Sequence, residues 1–349
     1  MPEAIMRAAV TQGKRTMRVV DVPDPGEPGI GEVIVRPEAV GLCGSDFHYF
    51  LGHIGSVDDA QLYPRIFGHE AAGILEDVGP GSPEHLRAGE RVAIWPLQSC
   101  GRCYPCRIGR RNVCANISLI GVHTDGALQG LLPVRASQVF PVGDRDPVMA
   151  ALIEPVSIAV RSVIRGRVAE GEKAVVFGAG PIGQAIAVAA IDKGASVLLV
   201  DRVESRLERG RATGAEILAL DADENPVTAA REWAGGDGPE VVFEATGAAA
   251  VAEMAVELVA PAGRVVIVGL GSHDAPLTVG SLAFKEIDML GTSTCNADEF
   301  AEAVALVARR EDVLAGFVTH EFPLEQAPEA IDYAIHNPAE VMKAVIRLD

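Results

Sequence analysis

Four of the six cysteines, Cys100, Cys103, Cys106 and Cys114, lie within fifteen residues of one another. Far upstream of them, Cys43 precedes a Gly-His-Glu triplet that contains His69 and Glu70. Thiolate, imidazole and carboxylate are the ligands that zinc takes in proteins. Four sulfurs close around a structural ion, whereas a mixed set can leave one position open. The sequence therefore predicts two zinc sites, one that folds a lobe of about residues 98–116 and one that supports chemistry.

Disulfides are the alternative interpretation of the cysteines, and they require an oxidising compartment, which proteins usually reach through a secretory leader. Residues 1–18 contain Arg7, Lys14, Arg15 and Arg18, with no continuous apolar stretch between a basic start and a cleavage site. This pattern is not that of a signal peptide. It favours zinc over disulfides, and we expect a cytoplasmic protein.

The composition favours a small-molecule substrate. The chain has 349 residues, long enough for two domains that each bury a core, and a formal net charge of −18. Nucleic acids and anionic membranes attract clustered Lys and Arg, so the acidic balance disfavours both as partners. Residues 174–191 carry no charge, but the glycines and the proline at their centre predict a short strand and a short helix instead of a membrane span.

The pattern of apolar and turn-forming residues changes near residue 155. Before it, short and partly alternating apolar stretches separated by Gly and Pro predict a β-rich barrel with long loops. After it, apolar strands alternate with helical segments, which predicts a doubly wound parallel sheet. We expect residues 295–349 to complete the first domain, so that residues 1–155 and 295–349 flank a nucleotide-binding domain of residues 156–294. The predicted strands of that domain are 174–177, 197–200, 216–220, 241–244 and 265–268.

A glycine-rich motif follows the first of these strands. Gly178, Gly180 and Gly183 have the spacing that lets a backbone turn tightly, approach a pyrophosphate and pack a helix against a strand. Pro181 and Ile182 open the helix, whose N-terminus offers unpaired N–H groups to phosphates. Asp201 ends the second strand, where a carboxylate accepts bonds from ribose hydroxyls and repels a 2′-phosphate. This favours NAD over NADP, although Arg202 next to it can accommodate that phosphate.

The four clustered cysteines have a second alternative, a zinc ribbon that binds nucleic acid. Four thiolates around one Zn²⁺ leave a charge of about −2, which arginines in the same stretch can offset. Those arginines are local and the chain as a whole is acidic, so a structural zinc lobe is favoured over the ribbon.

Taken together, these motifs resemble the zinc-dependent medium-chain alcohol dehydrogenases over nearly the whole chain. The resemblance is strongest to the polyol branch, the sorbitol and xylitol dehydrogenases. It implies an α/β protein with a GroES-like β-barrel catalytic domain joined to a Rossmann domain, an active site between them, two zinc ions per chain and a homo-oligomer, either a tetramer or a dimer. The segments that carry it are residues 43–49, residues 68–73, the four-cysteine lobe, Glu154-Pro155, the glycine motif, residues 285–288 and residues 319–325.

The resemblance also assigns roles to individual residues. It makes Cys43, His69 and Glu70 ligands of the catalytic zinc, with Glu154 as a further ligand or as the carboxylate that holds the zinc-bound water. Ser45 and His48 match the positions that relay a proton from the alcohol to solvent, and Tyr49 matches a substrate contact. His48 could equally be a partly exposed polar residue, and Tyr49 a core residue. On the cofactor side the matching residues are Arg206, near the adenosine ribose, and Val268 and Leu270, near the nicotinamide. A solvated arginine on a helix is the alternative for Arg206.

The implied activity is transfer of a hydride from a secondary alcohol, such as a polyol, sugar alcohol or diol, to NAD, with zinc as the Lewis acid. Residues 291–296 read Gly-Thr-Ser-Thr-Cys-Asn where the sorbitol dehydrogenases usually carry an Arg-Tyr pair, so sorbitol itself is not favoured. An enzyme resembling L-threonine 3-dehydrogenase is the nearest alternative. A non-catalytic dinucleotide-binding protein is a more remote one, because it would not need an open metal site.

Overall fold

The computed structural model describes residues 4–53, 63–220, 226–271 and 274–348. The chain divides into two compact units, one of Met1–Glu154 with Asn296–Asp349 and the other of Pro155–Cys295. The two junctions lie one residue from those expected from the sequence. Each unit has its own core of buried aliphatic and aromatic side chains.

The first unit is built mainly of antiparallel strands. A sheet of seven strands has the order β10-β6-β5-β3-β18-β17, with β9 paired to β3, and a sheet of three strands has the order β2-β1-β4. A short hairpin pairs β7 with β8. The strands of this unit are β1 Ile5–Gly13, β2 Thr16–Pro23, β3 Glu32–Gly41, β4 Arg65–Ile66, β5 Glu70–Val78, β6 Arg91–Ile94, β7 Leu97–Gln98, β8 Ser118–Leu119, β9 Leu132–Arg135, β10 Val139–Pro141, β17 Val318–Pro323 and β18 Lys343–Arg347.

Helices of the first unit pack against its strands. They are α1 Gly44–Leu51, α2 Tyr104–Arg107, α3 Pro147–Ala151, α10 Ala297–Arg309, α11 Glu311–Leu314 and α12 Ala327–His336, with 3₁₀ turns at Arg111–Val113, Ala136–Gln138, Ala315–Phe317 and Leu324–Gln326. Strand β18 joins the C-terminal segment to the barrel, because it pairs parallel with β17 and antiparallel with β3.

The second unit is a six-stranded parallel sheet of order β13-β12-β11-β14-β15-β16. In chain order this is 3-2-1-4-5-6, the strand order of doubly wound dinucleotide-binding sheets. The central strands are almost continuously apolar because helices cover both faces. The strands are β11 Lys173–Phe177, β12 Ser196–Asp201, β13 Glu216–Ala219, β14 Val241–Glu244, β15 Arg264–Ile267 and β16 Asp288–Gly291.

The helices of the second unit are α4 Ile153–Arg165, whose first two residues belong to the first unit, α5 Pro181–Asp192, α6 Glu204–Gly210, α7 Pro226–Ala234, α8 Ala249–Leu258 and α9 Val279–Phe284, with a 3₁₀ turn at Arg211–Thr213. The uncharged stretch 174–191 is divided between β11 and α5, as expected from its glycines. Residues Pro147–Arg165 form a helical stretch long and apolar enough to cross a membrane, but 83% of its most apolar window is buried inside the protein. Such burial is typical of a core helix.

Candidate functional site

The four-cysteine lobe is a loop closed at its base by the β7–β8 hairpin, in which Leu97 is opposite Leu119. Within it, the Sγ atom of Cys103 lies 3.4 Å from that of Cys106 and 3.7 Å from that of Cys114. A tetrahedral zinc with Zn–S bonds of about 2.3 Å places its sulfurs about 3.8 Å apart. The thiols are therefore gathered at metal-ligand spacing, and all six cysteines of the chain are free of disulfides.

Backbone amides prepare this lobe for a cation. The N–H groups of Arg102 and Cys103 lower the pKa of Cys100 to about 6 by donating to its sulfur. Burial acts in the opposite direction on Cys106 and raises its pKa to about 11. A divalent ion between the four sulfurs would favour the thiolate form of all four cysteines and offset their negative charge. The donor set therefore fits zinc.

The second ligand set comes from the ends of two paired strands. Cys43 follows the end of β3, and His69 immediately precedes β5. The two strands are antiparallel neighbours in which Gly41 is opposite Glu70, so the residues just beyond this pair are brought together. One ligand atom each from Cys43, His69 and Glu70 lies within 4.8 Å of the other two. Soft sulfur, imidazole and carboxylate in one small group are the donors of an open zinc site.

Asp46, which the sequence analysis did not assign, lies behind His69. Its side chain is fully buried; Oδ2 accepts a 2.9 Å bond from the Cys43 N–H, and Oδ1 lies 3.5 Å from His69 Nδ1. Burial lowers the pKa of His69, but Asp46 and Cys43 outweigh it and raise this pKa well above 6.5. A carboxylate on one ring nitrogen leaves the other to bind a metal. The signal was present in the sequence, since Asp46 lies three residues after Cys43.

Lys343, also not assigned from the sequence, contacts Glu70 from β18. Its Nζ donates 2.7 Å bonds to both Glu70 carboxylate oxygens and a 3.1 Å bond to the Leu42 carbonyl. Burial lowers the pKa of Lys343, but the negative charges of Glu70 and Cys43 more than offset this and raise it. A charged lysine is therefore part of this site.

Glu154 is the second residue of α4 and is also buried. Burial, reinforced by the charge of Glu70, raises its pKa to about 7, although His69 and Lys343 act in the opposite direction. Its carboxylate belongs to the same electrostatic cluster. It does not lie within 4.8 Å of all three atoms of the Cys43, His69 and Glu70 group.

The three remaining candidates from the sequence lie on α1. Ser45 is half-buried in its first turn, while His48 is exposed and its ring centroid lies 6.4 Å from that of His53. Tyr49 is half-buried beside Phe67, and burial raises its pKa, with further effects from His69 and Asp46. Tyr49 thus shares the environment of the ligand set, and His48 faces solvent.

The glycine motif of the second unit is a tight turn between β11 and α5. Gly178 has φ +102°, and a Cβ on Gly183 would lie 1.7 Å from the Gly178 carbonyl oxygen, so neither position accepts a side chain without distortion. A Cβ on Gly180, the residue before the helix, would meet nothing within 4 Å, which leaves open space at the helix N-terminus. The turn has the shape that admits a pyrophosphate.

Asp201 ties this turn to the second strand. Its Oδ2 accepts a 2.6 Å bond from the Ala179 N–H and its Oδ1 a 2.9 Å bond from the Val203 N–H. A carboxylate has about four acceptor positions, so capacity for ribose hydroxyls remains. Arg202 is exposed and Arg206 is half-buried. Val268 and Leu270 follow β15, and Leu270 is 82% exposed.

Two zinc-ligand sets, together with a Rossmann sheet and its glycine turn, define a zinc-dependent dehydrogenase of two domains. The chain matches the alcohol dehydrogenase GroES-like domain over residues 29–144 and the zinc-binding dehydrogenase family over residues 181–309. It belongs to the zinc-type medium-chain alcohol dehydrogenases, with polyol dehydrogenases among its relatives. The zinc and nicotinamide cofactors expected from the sequence are confirmed for this family.

Its relatives include enzymes named as dehydrogenases of polyhydroxylated compounds. The chain is 35% identical to the sorbitol dehydrogenase of Homo sapiens, with 93% of this chain and 91% of that one covered. It is 34% identical to the L-galactonate-5-dehydrogenase of Escherichia coli, with 91% and 92% covered. A crystal structure from E. coli CFT073, described as a short chain alcohol dehydrogenase complexed with NADH, superposes with a TM-score of 0.88 at 29% identity and covers 99% of each chain.

Proposed function

We propose that this enzyme oxidises a secondary hydroxyl of a polyhydroxylated substrate, a sugar alcohol or a sugar acid, to a ketone with NAD as the hydride acceptor. The observation that carries the proposal is the gathering of Cys43, His69 and Glu70 at the end of the paired strands β3 and β5. A closed structural site would need only the four-cysteine lobe. A second, mixed and open set is what a reaction at a hydroxyl requires.

Zinc held by Cys43 and His69, with Glu70 or Glu154, would supply a Lewis acid that polarises the hydroxyl, and the nicotinamide would accept the hydride. The residues of the chain do the rest. Asp46 orients the His69 ring through Nδ1. Ser45 accepts the hydroxyl proton and passes it toward solvent, where His48 is exposed about one turn further along the same helix.

Burial gives Glu154 the properties of a proton acceptor near neutral pH. With a pKa of about 7 before a metal is bound, its carboxylate is poised to hold a water or substrate hydroxyl by hydrogen bonding. Tyr49, half-buried in the same environment, is positioned to contact the substrate carbon chain. These roles make the reaction depend on orientation as well as on the metal.

The substrate class is supported by the relatives. Sorbitol dehydrogenase and L-galactonate-5-dehydrogenase are named for oxidation of compounds with several hydroxyls. The stretch 291–296 lacks the Arg-Tyr pair of sorbitol dehydrogenases, which favours another polyol or a sugar acid over sorbitol. NAD is favoured over NADP because the Asp201 carboxylate would face a 2′-phosphate with like charge.

A spectrophotometric screen tests the proposal. Purified zinc-loaded protein is mixed with NAD and, in separate wells, with sorbitol, xylitol, a vicinal diol, L-galactonate or L-threonine, and reduced nicotinamide is followed by absorbance. We expect turnover with at least one polyol or sugar acid. Preference for threonine would reassign the substrate class, and inertness toward every alcohol would overturn the proposed function. We further propose a homo-oligomer in the cytoplasm, which size-exclusion chromatography with light scattering and cell fractionation would test.

A further inference from the structure

A buried carboxylate, Glu244, ends strand β14 in the second unit and is only 2% exposed. Strand β14 lies beside β11, and the strand order of the sheet, 3-2-1-4-5-6, reverses between these two strands. Dinucleotides bind in the crevice outside the carboxyl ends of the strands at such a reversal. Glu244 therefore lies at the edge of the sheet where a nicotinamide dinucleotide is expected to bind.

The side chain of Glu244 holds the loop that follows it. Its Oε1 accepts a 2.7 Å bond from the Thr246 N–H and a 2.9 Å bond from the Gly247 N–H, and the Thr246 hydroxyl donates to the same oxygen. The Thr246 Oγ1 in turn accepts a 3.0 Å bond from the N–H of Ala248, the residue before α8. One carboxylate oxygen therefore organises the connection between β14 and α8.

The main chain of Glu244 holds a second loop, the one after β15. Its carbonyl oxygen accepts bonds of 2.8 and 2.9 Å from the N–H groups of Val268 and Gly269. The two loops also touch, because a Cβ on Gly269 would lie 2.1 Å from the Gly247 nitrogen and 2.9 Å from Glu244 Oε2. Such distances admit only glycine at position 269. The loops after β14 and β15 are therefore packed together, with Glu244 bonded to both.

The loop after β14 also contacts the glycine turn. A Cβ on Gly178 would lie 3.0 Å from the methyl carbon of Thr246. The Ala245 N–H donates a 2.9 Å bond to the carbonyl of Phe177, so the loop is tied to β11 just before that turn. The loop held by Glu244 thus lies between the turn that admits a pyrophosphate and the loop after β15.

Each half of such a sheet binds one nucleotide of the cofactor. Asp201 ends β12 and belongs to the half that meets the adenosine ribose, so β14 and β15 belong to the half that meets the nicotinamide nucleotide. We propose that Glu244 is a positioning residue for the nicotinamide nucleotide, because it holds both loops of that half in one arrangement. The inference rests on the proposed function for the nicotinamide cofactor, but not for the alcohol that is oxidised.

Calorimetric titrations of the full-length, zinc-loaded protein test this without any alcohol. The ligands are NAD and AMP, since AMP carries only the adenosine nucleotide. Glu244→Ala leaves the three donors of its loop without their acceptor, so we expect the Kd for NAD to rise about tenfold and the Kd for AMP to change by less than about twofold. Glu244→Gln keeps an acceptor oxygen and should restore most of the affinity for NAD.

Glu240→Ala is the matched control. Glu240 precedes the same strand at its other end, and its Oε2 likewise accepts a backbone N–H, from Lys173, at 2.8 Å. This variant should bind NAD and AMP as the unaltered protein does. Thr246→Val removes one donor to Glu244 and keeps the shape of the side chain, so it should raise the Kd for NAD about threefold. It tests the same loop even if Glu244→Ala does not fold.

Unchanged NAD affinity in either Glu244→Ala or Thr246→Val would overturn the inference. An equal loss of affinity for NAD and AMP would also overturn it, because Glu244 would then support the fold as a whole. Failure of the unaltered protein to bind NAD would overturn the proposed function as well. A protein that binds NAD but oxidises no alcohol would contradict the proposed function alone, and the titrations of the variants would still decide the role of Glu244.

Discussion

The Nδ1 atom of His69 lies 3.5 Å from the Oδ1 atom of Asp46, a carboxylate with no exposed surface. The other oxygen of Asp46 is engaged by the Cys43 N–H, so one buried carboxylate contacts two candidate zinc ligands. Outer carboxylates of this kind set the tautomer and the orientation of a ligating histidine and raise its basicity. Asp46 is therefore placed to orient His69 if a metal binds this group.

Asp46→Asn should weaken the catalytic zinc and leave the structural zinc in place. The amide keeps the shape but removes the charge that favours His69 as a ligand, so we expect zinc affinity at this site to fall by about 10- to 100-fold. Competition with a chelator, followed by metal analysis, measures this. Asp24→Asn is the matched control, since that half-buried carboxylate, far from the metal group in the sequence, also accepts a backbone N–H, from Gly26. Equal zinc retention in both variants would show that Asp46 does not support His69.

The sequence predicted best those features whose residues lie close together along the chain. The glycine motif and Asp201 belong to one strand-turn-helix unit, and their spacing alone indicated how they fold. Strand β16 was not predicted because it is an edge strand whose residues are mostly exposed, so it lacks the apolar run of the central strands. The helical stretch from Pro147 was also not predicted, because the region before residue 155 was interpreted as β-rich.

In the candidate active site, too, some residues could be recognised from the sequence and others could not. Cys43, His69 and Glu70 have recognisable side-chain chemistry and a familiar order along the chain. Lys343 could not be found in this way, because lysines are rarely buried and it is 273 residues from its partner Glu70. Only the pairing of β18 with β3 brings the two together. The sequence likewise could not decide between Glu70 and Glu154, because both carboxylates are buried in the same electrostatic cluster.

Two zinc ions should be bound per chain, one at each ligand set, and Cys43→Ser should remove one of them. Nearly all turnover should disappear in this variant, while NAD binding persists, because the glycine turn belongs to a separate unit of the chain. Metal analysis and NAD titration by calorimetry check both statements. Cys295→Ser is the control, since Cys295 is buried against Ser157 and belongs to neither ligand set. A single zinc in the unaltered protein would contradict the prediction of two zinc sites.

Cys103→Ser should lower the thermal stability of the protein more than its turnover. The Cys103 sulfur lies 3.4 and 3.7 Å from two other sulfurs of the lobe, and a closed site contributes folding free energy without offering an open coordination position. We expect a lower thermal midpoint and one zinc fewer, with turnover per folded molecule retained. Thermal unfolding and active-site titration measure the two effects. Undiminished stability would argue against a structural zinc.

Asp201→Ser should lower kcat/KM with NAD and raise kcat/KM with NADP. In the unaltered enzyme we expect NAD to be preferred by about two orders of magnitude in kcat/KM, because like charges brought together in a binding site cost several kcal/mol. Arg202 would be free to receive the phosphate in the variant. Steady-state kinetics with both cofactors give the ratio, and Asp237→Ser, at an exposed position of the same unit, is the control. Equal efficiency with both cofactors in the unaltered enzyme would show that Arg202 outweighs Asp201.

Glu154 should titrate near neutral pH in the metal-free protein and at lower pH with zinc. Burial, its largest cause, raises the pKa of this carboxyl from 4.5 to about 7. A group whose pKa is raised by folding stabilises the fold while it is protonated, and this contribution is lost as pH rises through the folded-state pKa. The free energy of unfolding of the metal-free protein should therefore fall between about pH 4.5 and 7, by about 3 kcal/mol from this group.

Denaturant unfolding across this range should show a weaker pH dependence in Glu154→Gln, whose side chain does not titrate. Added zinc favours the carboxylate, so the infrared carbonyl band of protonated Glu154 should disappear at a lower pH in the loaded protein. Identical pH profiles for the unaltered protein and Glu154→Gln would show that Glu154 is already ionised in the metal-free fold.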